Sequence, residues 1–221
     1  MAGSISNFLL HELLDHVLRN AAYTAPATVY LGISTTIPTD ASGFTEATGG
    51  GYARQSIAFD VAASRQTQNT SLITFPAASA DWSAGATMVG WGLFDAVSAG
   101  NMLFHGELLA APFVGVADPA NEFINTGVAH GYVADQRVQV EIENGVLPTP
   151  LVDNTDYYIK LPSTFDFQLA ATAGGAAINL TIAEIGTMWV AASYKQPVLV
   201  GNTFRVPAAA LRVRVRGNLT T

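Results

Sequence analysis

"TGGGYARQSIAF", Thr48 to Phe59, decides how this chain is read, because three consecutive glycines ahead of a tyrosine and an arginine suit two different structures. A phosphate-binding loop must run into a helix, whose free N–H groups and positive end hold the anion. Here Tyr52, Ile57, Phe59 and Val61 sit among small and polar residues with the alternation of a half-buried strand. No Lys-Ser or Lys-Thr pair follows the glycines. The stretch is the mouth of a strand.

The rest of the chain has the same texture. Its 221 residues suffice for one large all-β domain or two smaller ones with real cores. Charged residues make up only 12% and hydrophobic ones 49%, so the surface is polar mainly through Ser, Thr, Asn and Gln. Such a surface suits a chain packed against copies of itself or other proteins. A net charge of −7 argues against general nucleic-acid binding, which needs a surplus of Lys and Arg. The absence of cysteine excludes disulfides and thiolate metal sites. No signal peptide is expected, and no apolar run approaches the roughly 18 residues of a membrane span.

"SISNFLLHELLDHVLRN", Ser4 to Asn20, predicts the one helix. Ile5, Phe8, Leu9, Leu13, Leu14, Val17 and Leu18 follow the rhythm of a single buried face. Ser4 or Ser6 caps its start, and Arg19 suits its negative end. After Pro26, short strands alternate with turns rich in Gly, Pro and Asn, including a hairpin turn at Gly100-Asn101. The expected fold is mainly β: a jelly-roll-like β-sandwich with an N-terminal α-helix and an inserted small all-β module. The expected boundaries are 1–116 for the first part of the sandwich, 117–188 for a module of about five strands, and 189–221 for the closing strands.

Chemistry is sparsely signalled. His11 and His16 lie on different sides of a helix, and the pair is not an HExxH arrangement. His105 and His130 each precede a glycine at an expected strand end, with no nucleophile elbow elsewhere. No catalytic residue, metal ligand or cofactor is expected. Trp91 reads as core. Tyr157 and Tyr158 point to opposite faces of one strand, so one of them at most is a sugar-stacking platform on a given face. In "LRVRVRG", Leu211, Val213 and Val215 face one way and Arg212, Arg214 and Arg216 the other. That positive stripe is either a solvated strand face or the partner of carboxylates on an adjoining subunit.

Several motifs in order carry a resemblance: "SNFLLHELLDHVLRNAAYTAPATVYLGISTTIPTD", "GGGYARQSIAF", "NTSLITFPAASADWSAGATMVGWGLFDA" and "GNMLFHGEL". Residues 4 to about 112, resuming over "VLVGNTFRVPAAALRVRV", resemble a phage structural family whose members are often called tail fibre or minor tail proteins. The segment from about 118 to 187, with "HGYVADQRVQV", "TDYYI" and "FQLAATAGGAAINL", resembles a second phage module, here interrupting the first. In this reading Gly49, Gly50 and Gly51 turn the chain sharply into a strand whose register Tyr52 and Ile57 fix. Arg54 then reaches a carboxylate or a neighbouring subunit, or lies on a solvated face.

The resemblance implies a virion structural protein, made in the bacterial cytoplasm and not an enzyme. Assembly as a symmetric oligomer, most simply a trimer, is expected through Phe8, Leu9, Leu13, Val17, Arg54, Arg212, Arg214 and Arg216. Its partners would be itself and other virion proteins of tail or capsid. A head decoration protein and a glycan-binding module for a host surface, using Tyr157 or Tyr158, remain alternatives.

Overall fold

The computed structural model describes residues 4–41, 43–110, 112–153, 155–193 and 196–214, without the side chains of Asn144 and Arg214. In chain order the elements are β1 (Ser4–Ile5), α1 (Asn7–Arg19), β2 (Val29–Ser34), β3 (Gln55–Ile57), β4 (Gln66–Gln68), β5 (Ile73–Thr74), β6 (Thr87–Met88), β7 (Gly90–Phe94) and β8 (Met102–Glu107). There follow β9 (Phe113–Asp118), β10 (Phe123–Asn125), β11 (Arg137–Val146), β12 (Thr155–Lys160), β13 (Asp166–Ala170), β14 (Ile185–Ala192), β15 (Gln196–Pro197), β16 (Arg205–Val206) and β17 (Arg212–Arg214). They form two units: residues 1–108 with 194–221, and residues 109–193.

The first unit holds an antiparallel sheet in the order β1-β8-β7-β2-β3. The C-terminal strands return antiparallel along the middle of the unit, β17 on β4, β16 on β5 and β15 on β6. Sheet and ladders share one sandwich-like core. Leu31, Ile33, Trp91 and Leu93 come from the sheet, while Ile73, Met88, Val206, Leu211 and Val213 come from the ladders. Burying each of these stabilises the fold by about 1.5–3 kcal/mol. Asn69, also buried, pins the closing strands: its amide donates to the carbonyls of Ser71 and Pro207, and its oxygen accepts from the Leu211 N–H.

The glycine run is a turn. Gly49, Gly50 and Gly51 all have positive φ, at 71°, 56° and 76°, where a Cβ is disfavoured. Gly50 is also pressed on the opposite chain, where a Cβ would stand 2.1 Å from the Ala80 carbonyl oxygen. The turn delivers Tyr52 into the sheet, where its hydroxyl accepts from the Ile33 N–H and donates to Glu46 Oε1. Val61 does not continue the alternation as read, being 93% exposed and outside β3.

The second unit is a closed six-stranded barrel in the order β10-β13-β12-β11-β14-β9. Ile124, Val138, Val140, Ile159, Phe167, Met188 and Val190 fill its interior with no exposure. It spans 109–193 rather than 117–188, and it has six strands because β9 pairs with β14 and β10. Alternation in Phe113–Asp118 looks the same in any half-buried sheet, so periodicity does not name the sheet a strand joins. Gly115 fits it to the barrel, since a Cβ there would meet Ile124 Cγ2 at 2.8 Å. Leu109 and Ser193 bridge at the root, and the Ala110 N–H donates to the Ala192 carbonyl.

Candidate functional site

Helix α1 begins at Ser6, whose hydroxyl accepts from the Leu9 N–H and donates to the Met102 carbonyl of β8. It ends at Asn20, in the left-handed region with φ 54°. These ties set the rotation of the helix about its own axis. Leu9 turns inward and is buried, while Phe8, Glu12 and Asp15 are half-buried. The single buried face expected from the sequence is therefore split. Leu10, Leu13, Leu14, Val17 and Leu18, at positions i, i+3, i+4, i+7 and i+8, form a second apolar stripe that the chain leaves open. Exposure along it rises from 39% at Leu10 to 75% at Leu18. No charged residue interrupts it: Asp15 and Arg19 pair with each other at 3.0 Å.

Of the helix residues expected at an interface, Leu13 and Val17 thus lie on the open stripe, whereas Leu9 belongs to the unit's own core. Of the alternatives for Arg54, the structure takes the carboxylate and not the neighbouring subunit or the solvated face. Arg54 is buried, and its guanidinium is used up within its own unit, on Glu46, on the carbonyls of Ala96 and Ala99 and over the ring of Phe94. A strand-end arginine beside this loop had no sequence signal for Glu46, eight residues earlier across the glycine turn.

Leu211, just ahead of β17, and Val213 within it are buried as alternation requires, and Arg212 is half-buried. Arg214 pairs through its backbone with Gln66, while Arg216 lies outside the described residues. Tyr157 faces the barrel core at 5% exposure, with its hydroxyl accepting from the Val152 N–H, so it is out of reach of a sugar ring. Tyr158 is half-buried on the outer face. On that face too, the Trp189 indole donates to Glu143 Oε2.

Three of the four histidines occupy structural positions, while His11 is exposed on α1. His16 Nδ1 lies 2.9 Å from the Ala21 carbonyl at the helix end, and the buried His105 Nε2 lies 2.9 Å from Asp40 Oδ1. His130 is buried among Phe113, Tyr132 and Phe167, its Nδ1 accepting from the Tyr132 N–H. Burial raises the hydroxyl pKa of Tyr132, and likewise that of Tyr52, where the Glu46 carboxylate adds to it.

Two filled β cores with an uncharged, open helix face define a mainly β structural framework. The chain belongs to the family of Podophage GP4 fiber I protein gp80, whose model matches residues 4–130, more than half its length. It is accordingly a phage fibre structural protein, a component of the virion. The match continues past residue 112 to take in β9 and β10, so the family's sequence runs on through the root of the barrel. No curated protein matches the chain.

Proposed function

We propose that this chain is a non-catalytic fibre subunit that works by assembly: copies associate symmetrically through the open stripe of α1 and present the barrel as an outer module. The observation that carries the reading is the uncovered run of Leu10, Leu13, Leu14, Val17 and Leu18. A monomer that stayed alone would leave these side chains in water, and contiguous exposed apolar surface of this kind marks an interaction site.

The stripe also bears on copy number. It is wider than the two-position seam of a two-stranded coil, because i+4 and i+8 are apolar as well as i, i+3 and i+7. Five side chains are few against the roughly 20–30 residues a side of a standard interface. A closed group in which each helix meets two others, most simply a trimer, uses both flanks of the stripe. Placement in the tail, and contacts of the barrel with a neighbour or a host surface, belong to the same reading.

Light scattering on the purified full chain tests it, alongside a Leu13→Glu/Val17→Glu variant. Both positions are exposed, so the variant keeps its own core and its circular dichroism. The native chain is expected to have an oligomeric mass and the variant a monomeric one. A native chain that stays monomeric at all accessible concentrations would overturn the proposal.

A further inference from the structure

The chain's net charge is not spread over it. Residues 109–193 contain nine Asp and Glu against two Lys and Arg, a formal charge of −7. The remaining residues carry eight of each sign and are formally neutral. The whole net charge of the protein thus resides in the barrel.

Within the barrel the charge is also graded. The chain enters at Leu109 and leaves at Ser193, and both cations stand at that end, Arg137 opening β11 and Lys160 closing β12. Arg137 is paired there with Asp156. Asp118, Glu122, Asp153 and Glu184 stand at the opposite end, where the sequence provides no Lys or Arg. Asn121 donates to Asp118 and holds its carboxyl pKa below the ordinary value.

Resting on the self-association proposed above, we infer that contacts between copies run through the neutral unit alone. The occupant of the open α1 face is the same face of further copies, and the acidic barrels repel one another and stay separate. The α1 stripe carries no charge, so copies meet there without electrostatic cost, whereas two barrels meet only against seven negative charges on each. At 0.01 M salt, where the Debye length is about 30 Å, repulsion between seven charges on each of two barrels is little screened and weakens association several-fold. At 0.15 M, where the Debye length is about 8 Å, almost none of it remains.

The sign of the salt effect is therefore diagnostic. The full chain is titrated by light scattering at 10 and 150 mM sodium chloride, beside a Glu122→Lys/Val152→Lys/Ile185→Lys variant. These three side chains are at the barrel surface, with Val152 59% and Ile185 69% exposed, and the changes bring the barrel from −7 to −3. The native chain is expected to associate several-fold more tightly at the higher salt, and the variant to associate at 10 mM nearly as tightly as the native chain does at 150 mM. Association that weakens with salt would overturn the inference and point to barrel carboxylates meeting the arginines of β16 and β17 on a neighbour. Association indifferent to both salt and variant would overturn it as well, while leaving assembly through α1 standing. Absence of association at either salt would sink the inference and the proposed function together.

Discussion

Arg54 and Glu46 face each other along two parallel hydrogen bonds of 2.7 Å each, Nε to Oε1 and Nη2 to Oε2. The arginine side chain is 5% exposed and the glutamate 31%, so this is a partly buried bidentate pair. The same guanidinium sits 3.5 Å over the Phe94 ring and donates to the carbonyls of Ala96 and Ala99 in the β7–β8 turn. One side chain thereby joins the strand after the glycine turn to a second hairpin.

Arg54→Lys is expected to destabilise the first unit by about 2–4 kcal/mol, although it keeps the charge. A lysine lacks the planar fork and leaves Glu46 and the two carbonyls short of donors. Urea denaturation followed by the fluorescence of buried Trp82 and Trp91 reads this directly. A loss under about 0.5 kcal/mol, the level of a surface pair, would show that the fork is not needed.

Gly49→Ala and Gly50→Ala are expected to differ sharply despite their adjacency. Both have positive φ, which costs an alanine about 1 kcal/mol. At Gly49 nothing lies within 4 Å of an added Cβ, whereas at Gly50 the Ala80 carbonyl stands in its place. Gly49→Ala should lower the melting temperature by a few degrees, and Gly50→Ala should prevent the first unit from folding. Equal effects would mean that the turn closes independently of the 79–82 segment.

Tyr52 and Tyr132 are expected to stay silent in an alkaline titration followed at 295 nm. Burial raises both hydroxyl pKa values above the ordinary 10.0, so the folded state favours the protonated form. Their contribution to stability is complete below about pH 10 and falls as pH rises from there toward the folded values. Removing one of them, as in Tyr52→Phe, should leave the absorbance rise between pH 9 and 11 unchanged. A smaller rise in that variant would show that Tyr52 ionises in the folded protein.

Tyr157→Ala and Tyr158→Ala separate core from surface on one strand. Tyr157 fills the barrel interior and accepts from the Val152 N–H, so its truncation should cost about 3–5 kcal/mol. Tyr158, half-buried on the outer face, should cost 1 kcal/mol or so. If a sugar is bound by this strand, glycan binding would respond to Tyr158→Ala in a barrel that is still folded.

Legibility in the sequence followed the range of the interaction. The helix with its Ser6 cap and Asn20 stop, the strand period at Leu211 and Val213, and the core position of Trp91 all rest on neighbours within a turn or two, and all are found in the fold. For Arg54 the sequence leaves a carboxylate, an interface and a solvated face open, and does not choose among them because its partners include carbonyls 42 and 45 residues away. The boundary expected at 116 cuts through β9, whose residues Phe113 to Val116 belong to the barrel, because the same alternation fits a sandwich and a barrel equally well.

The amino-acid order by itself determined a mainly β chain with one capped helix, a three-glycine turn and a net charge of −7, since local dihedral preference, hydrophobic period and charge count need no partner. Tertiary structure alone decided which side of that helix stays open and where the charge resides. Ser6 is tied to Met102, 96 residues on, and this contact turns Leu9 in and Val17 out. The ladder between β9 and β14 closes the barrel that gathers the excess of acids, and only a long-range pairing can draw that boundary.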